Sequence, residues 1–296
     1  MYTTPGSGNR KTSTRRRDGA KDAKRANANG THFFFVPFAP SCLRVNAFVL
    51  CLGSVSACVP APAADLTVSA AISMKDGLSD AGHQFEQTTG DRLTFNFLAS
   101  GPLMKQIEEG APVDVFVSAA HNQMDELRSQ NLIDTTTERV IAKGELVLIV
   151  PADEKDPPTS FAELNGPKCL RLAIGEPKSV PAGDYAMQTL HALKLDESLK
   201  DKLQTAANVR QVLDYVEQGE VNAGIVYRTD ALSSNGKVRI VAVADESTHK
   251  PIEYPAAVVK ASKEHEEADR FLEFLSSSQG QDVLVRLGFA RVEPKK

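Results

Sequence analysis

Tryptophan is absent from the 296 residues, and the aromatic residues together make up only 6%. A chain so poor in large rings has few platforms for stacking sugars or bases, which argues against both as partners. Cysteine is scarce too. Cys42, Cys51 and Cys58 fall in the first 63 residues, and Cys169 alone lies beyond them. A lone cysteine forms no internal disulfide, and no zinc-ligand spacing occurs. The six histidines (His32, His83, His121, His191, His249, His265) are scattered, with no H-E-x-x-H pair. Neither G-x-S-x-G, a P-loop nor a G-x-G-x-x-G fingerprint is found. The familiar hydrolase, nucleotide-binding and metalloenzyme signatures are thereby excluded. Asp114, at a strand start, is the acid that could be proposed as a base, and its position reads as structural.

Charge of one sign is also lacking where a nucleic-acid binder would need it. The net charge is −4, and residues 1–64 carry nine Lys/Arg against two Asp, so 65–296 carries −11. Such a body repels the phosphate backbone. Neither end supplies a helix-turn-helix, which disfavours a ligand-responsive transcription factor.

Residues 1–31 are polar, basic and rich in small residues, a composition that cannot bury enough surface to fold. An apolar stretch follows at 33–40 and 45–60, and then Ala61-Pro62-Ala63, an A-x-A site. This order predicts an exported protein whose residues 1–63 are a basic extension plus signal peptide, with a mature start near Ala64. Val55-Ser56-Ala57-Cys58 offers a second outcome, lipid attachment at Cys58. The uninterrupted apolar part is shorter than the ~20 residues a spanning helix needs.

The remainder alternates between strand and helix periods. Strands are expected at 66–70, 92–97, 113–118, 145–150, 170–175, 223–227, 238–243 and 254–259. Helices are expected at 74–87, 103–109, 122–129, 182–193 and 209–217, with helical spacing again across 264–287. The order implies α/β architecture, with parallel sheets covered by helices and two lobes.

Four joints share one design, in which a strand ends, a small or hydroxyl residue follows and a helix begins. They are Ala70-Ala71-Ile72-Ser73, Leu98-Ala99-Ser100-Gly101, Val180-Pro181-Ala182-Gly183 and Ala207-Asn208-Val209-Arg210. Each helix start offers unpaired N–H groups and the positive end of a helix dipole. Ser73 and Ser100 add hydroxyl donors, and Gly101 and Gly183 are expected to let the backbone approach a ligand. A lone Ser at such a place is an ordinary helix cap; only four joints converging on one cleft make an anion site. Sulfate, phosphate and other tetrahedral oxyanions would all suit such a site.

At these residues the chain resembles the periplasmic molybdate-binding proteins of ABC transporters, along nearly all of 65–296. The matching segments are Ala70 to Ser73, Phe97 to Ser100, Gln106 to Ala119, Val180 to Ala186, Asn208 to Arg210, Gly224 to Tyr227, Glu253 to Pro255 and Leu287 to Phe289. The resemblance implies a two-lobed type II periplasmic binding protein, with 65–143 and 254–296 in one lobe and 144–253 in the other, crossing at 146–150 and 254–259. It implies a site formed by Ser73, Ser100, the backbone of Ala182 and Val209, and Tyr227. It further implies a monomer that carries molybdate or tungstate to an inner-membrane permease, with no cofactor, no nucleic acid and molybdenum bound only as its oxyanion. The chain departs from the pattern at Gly101-Pro102, where relatives often have Ser or Thr, and in its basic extension.

Overall fold

The computed structural model describes residues 63–292, all within one compact unit, Val59–Lys296. The expected signal peptide, its expected cleavage motif up to Pro62, and Cys58 lie outside the described residues. From Ala64 onward the chain is anchored: its N–H donates to Asp91 Oδ1 at 2.9 Å, and its carbonyl accepts from Arg92 N at 2.8 Å.

Five strands form the first sheet and five the second. The first half runs β1 (Asp65–Ala71), α1 (Lys75–Thr89), β2 (Arg92–Leu98), α2 (Ser100–Glu108), β3 (Val115–Val117), α3 (His121–Ser129) and β4 (Arg139–Lys143). The chain then enters the second half with β5 (Leu146–Pro151), β6 (Leu172–Gly175), α4 (Pro181–Ala192), the short α5 (Asp196–Leu199), β7 (Leu203–Ala206), α6 (Val209–Glu217), β8 (Ala223–Tyr227), the short α7 (Arg228–Ser233) and β9 (Val238–Val243). It returns with β10 (Glu253–Val258) and closes with α8 (His265–Ser276) and α9 (Ser278–Arg286).

The strand orders are β2-β1-β3-β10-β4 and β7-β6-β8-β5-β9. In the first sheet β1 pairs parallel with β2 and β3, whereas β10 runs antiparallel to both β3 and β4. In the second, β6 pairs parallel with β7 and β8, and β5 runs antiparallel to β8 and β9. Each sheet is therefore parallel except for one reversed strand in fourth place. That strand is the one on which the chain has just arrived from the other lobe. The chain passes from the first sheet to the second through Gly144-Glu145 and returns through 244–252. They are tied together by Gly144 N to Ile252 O at 3.0 Å and Ala244 N to Leu146 O at 2.9 Å.

Interior strands explain their own sequences. All residues of β5 (LVLIVP) and β8 (AGIVY) are buried, as continuous apolar runs covered on both faces should be. β2 is an edge strand, and none of its residues is fully buried. Phe85 of α1 meets Phe271 of α8 edge to face at 5.1 Å, closing one face of the first sheet. A second apolar cluster, including Leu103, Phe116, Met124 and Leu127, lies beneath α2 and α3. Asp114 is structural: its carboxylate accepts from Thr67 N at 2.8 Å and from Ser262 Oγ at 2.6 Å. The single helical stretch expected over 264–287 is broken at Ser277, whose hydroxyl caps α9 by accepting from Gly280 N.

Candidate functional site

Parallel strands bring their carboxyl ends to one side of a sheet, and the helices that follow start there. In both sheets these ends face the cleft. β1 leads through a one-turn 3-10 helix (Ile72–Met74) into α1, and β2 leads into α2; across the cleft β6 leads toward α4, β7 into α6 and β8 into α7.

The five residues singled out in the sequence, Ser73, Ser100, Ala182, Val209 and Tyr227, line one small cavity of about 10 Å3. They come from both lobes, and none exceeds 3% exposure. Among the described residues no charged side chain lines the cavity.

Capping and proline select which helix-terminal amides are left over. In α2, Gly101 N–H donates to Ser179 O at 3.1 Å, Pro102 has no N–H, and Leu103 N bonds Ala99 O at 3.3 Å. Ser100 thus keeps the first-turn amide of α2 that has no partner among the described residues. Its hydroxyl accepts from Ala119 N at 3.0 Å, which leaves the hydroxyl proton available to donate. In α4, Pro181 again lacks an N–H, while Gly183 N and Asp184 N both bond Val180 O, at 2.9 and 3.2 Å. Ala182 N–H remains. In α6, the Asn208 side chain caps Gln211 N at 3.0 Å, and Val209 N–H stands at the first helical position with no intrahelical partner.

Two hydroxyls complete the lining. Among the described residues, buried Tyr227 OH has no hydrogen-bond partner, and buried Ser73 Oγ has none of good geometry, with the Tyr254 hydroxyl as its neighbour. A buried unpaired hydroxyl costs on the order of 1–3 kcal/mol; Ser69, Thr229 and Tyr254 carry such hydroxyls elsewhere, but only Ser73 and Tyr227 share one cavity with free helix-terminal amides, a set suited to an acceptor from outside. Burial also pushes the Tyr227 hydroxyl well above the usual phenol range, so it stays protonated and able to donate. Its ring is held edge to face against Tyr254 at 5.8 Å, and Tyr254 likewise against Phe289 at 5.4 Å. The lining thus presents donors and positive helix ends without a formal charge, an arrangement suited to a small anion with many acceptor oxygens.

The two glycines play a different part from the one expected. A Cβ on Gly101 would lie 2.5 Å from Ser179 O, and one on Gly183 would lie 2.0 Å from Gly175 O. Gly101 lets the two lobes touch, and Gly183 lets α4 pack on the end of β6. Neither lines the cavity. Sequence reasoning also missed Ala119, whose amide orients Ser100; nothing local marks it, because strand β3 alone brings it there.

A second, larger cleft of about 500 Å3, open to solvent, lies beside the cavity, and Ser73 borders both. Its walls include Asp76, Arg210 and Arg286. On the other rim Asn122 Nδ2 donates to Asp184 Oδ2 at 3.4 Å. Among the described residues no cluster of His, Cys, Asp and Glu could hold a metal ion, and no helix is long and apolar enough to cross a membrane.

Known proteins share this organisation. YvgL of Bacillus subtilis, named as an ABC transporter substrate-binding lipoprotein, is 41% identical over 226 residues, covering 76% of this chain and 85% of YvgL. The molybdate-binding protein ModA of Haemophilus influenzae is 40% identical over 236 residues, covering 78% of this chain and 91% of ModA. Among solved structures, the substrate-binding domain assigned to a molybdenum ABC transporter of Clostridium difficile is 40% identical. It superposes with a TM-score of 0.63 over 78% of this chain and all of that domain. Residues 66–290, which contain both sheets and every residue of the cavity, match a family of solute binders that is not an enzyme class. This chain belongs to the bacterial extracellular solute-binding protein family.

Proposed function

We propose that this protein captures molybdate outside the cytoplasm and delivers it to an ABC permease in the inner membrane. The observation that carries this reading is the cavity itself: it is lined by unpartnered hydroxyls and helix-terminal amides from both lobes, with no charged side chain among them. The relatives named for molybdate, at about 40% identity, select the cargo among tetrahedral oxyanions. Tungstate, of nearly the same size and charge, binds alongside it.

In this reading Ser73 and Ser100 donate through their hydroxyls and amides, Ala182 and Val209 through their amides, and Tyr227 through its hydroxyl. Charge-assisted hydrogen bonds contribute on the order of 1.5–3 kcal/mol each, so several account for sub-micromolar affinity, which requires more than about 8 kcal/mol. Because the cavity residues are buried, the anion enters only when the lobes part. Residues 65–143 and 254–296 form one lobe and 144–253 the other, turning about Gly144-Glu145 and 244–252. The anion meets Ser73 and Ser100 first, and closure brings Ala182, Val209 and Tyr227 onto it, excluding water. The protein acts as a monomer, performs no chemistry on its cargo and needs no cofactor; molybdenum is held through its oxygens alone.

Export removes residues 1–63. The burial of Ala64 and its bond to Asp91 support a mature start there. Lipid attachment at Cys58 is the alternative, supported by the lipoprotein name of YvgL. Mass spectrometry of the exported protein separates the two.

Isothermal titration of residues 59–296 tests the function. Saturable one-to-one binding of molybdate, with sulfate and phosphate at least about a hundredfold weaker (about 2.7 kcal/mol), is expected. Preferential binding of sulfate or phosphate would replace the cargo, and no binding of any of these anions would refute the site.

A further inference from the structure

The outer cleft contains a side-chain arrangement that the cavity does not need. Arg210 follows Val209 in the first turn of α6, and its guanidinium is gripped on three sides. Nε lies 2.6 Å from Asp230 Oδ1, Nη1 donates to Ser233 Oγ at 2.7 Å, and Nη2 donates to Asp76 Oδ2 at 2.7 Å. Asp230 and Ser233 lie on α7, in the same lobe as Arg210, and the Asp230 side chain is wholly buried. Asp76 lies across the cleft, in the first turn of α1, three residues after Ser73. Two of the three contacts therefore hold Arg210 in place within its own lobe, and the third exists only when the lobes meet.

We propose that Arg210 and Asp76 are positioning residues that form a cross-cleft latch and set how long the closed protein retains its oxyanion. The inference rests on the reading above that the cavity is an oxyanion site. Asp230 and Ser233 fix the guanidinium before closure, so the new bond to Asp76 orders little additional side chain, which favours its formation. The latch joins the start of α6, which carries Val209, to the start of α1, which follows Ser73. It therefore clamps two cavity walls without placing a charge on the anion. Asp76 is about half exposed, with a side-chain exposure of 48%, and Arg210 is at 20%. The bond is thus solvated enough to break when the lobes open, and a fully buried ion pair in its place would resist release. The ordinary role of an acidic residue at Asp76 is to complement the dipole of α1, and this role would affect the stability of the free protein instead of ligand release.

Stopped-flow kinetics on residues 59–296 separate the two roles. The probe is whichever of molybdate, tungstate, sulfate and phosphate the unaltered protein binds, so a wrong cargo does not disturb the test. Asp76→Asn is expected to raise the dissociation rate about fivefold and to leave the association rate within about twofold, with the melting temperature of the anion-free protein unchanged. Arg210→Lys, which keeps the charge beside buried Asp230, is expected to raise the dissociation rate as well. The double variant should release no faster than the faster single variant, because both act on one bond. An unchanged dissociation rate in Asp76→Asn, multiplicative effects in the double variant, a slowed association that accounts for the loss, or no binding of any of the four anions would each overturn the latch.

Discussion

The inner cavity and the outer cleft meet at Ser73 yet follow opposite electrostatic rules. The cavity has no ionised side chain and uses hydroxyls and helix ends; the cleft beside it is built on Arg210, Asp76 and buried Asp230. Deep inside, where water is excluded, a fixed counter-charge would hold an anion too firmly for a carrier that must let go. Toward solvent, full charges are screened, and their attraction suits a contact that is made and broken. On the proposed reading, holding falls to dipoles and gating to charges.

The largest expected effect comes from blocking the interlobe contact. Gly101→Ala places a Cβ against Ser179 O, at 2.5 Å in the present geometry. Overpacking of this kind costs about 1–3 kcal/mol, so oxyanion affinity should fall about tenfold or more. Gly101 lies in α2, where Ala is the better helix former, so the anion-free protein should melt no lower than before. Calorimetry with and without molybdate reads both quantities, and a parallel loss of stability and affinity would break the division between lobe and closure.

Next come the orphan hydroxyls. Tyr227→Phe and Ser73→Ala should each weaken molybdate binding by about 1–3 kcal/mol. Both should leave the anion-free protein equally or more stable, because a buried hydroxyl without a partner disappears. Ser100→Ala should weaken binding similarly, but its loss also orphans Ala119 N–H, so its stability should fall. Denaturant titration beside calorimetry distinguishes the two patterns.

The charge on the outer cleft can be titrated. Burial pushes Asp230 from its ordinary 3.8 up to about 6, against the pull of Arg210. The folded protein therefore binds this proton more tightly than the unfolded chain. The stability Asp230 contributes is complete below about 3.8 and declines as pH rises through about 6. The stability difference between wild type and Asp230→Asn should accordingly shrink in that window. A difference that grows with pH would mean that Arg210 dominates over burial.

The smallest effect concerns approach. With −11 on residues 65–296, the association rate for a dianion should rise as salt is added. A falling rate would instead identify the exposed Arg286 beside the cleft as a local attractor.

Much of this design is legible in sequence because the joints between strand and helix carry it. A small or hydroxyl residue at a helix start shows where free amides lie, and four such joints converge as parallel sheets require. What escaped was non-local or weakly patterned. β4, with the sequence RVIAK, is short and bounded by charges, and β7, with LQTA, lacks a run of apolar residues. The pairing of Arg210 with Asp76 spans 134 residues, and no local pattern links them. Gly101 and Gly183 were recognisable as sites of close approach. Whether they approached a ligand or another stretch of backbone depended on how the lobes pack.

The most direct test of the contrast between cavity and cleft is a crystal structure of residues 59–296 with molybdate, with the anomalous signal of molybdenum recorded. One peak is expected inside the cavity bounded by Ser73, Ser100, Ala182, Val209 and Tyr227, with hydroxyl and amide donors around the oxyanion and no guanidinium or ammonium within hydrogen-bond reach. A peak in the outer cleft, with the anion paired to Arg210 or Arg286, would contradict the account.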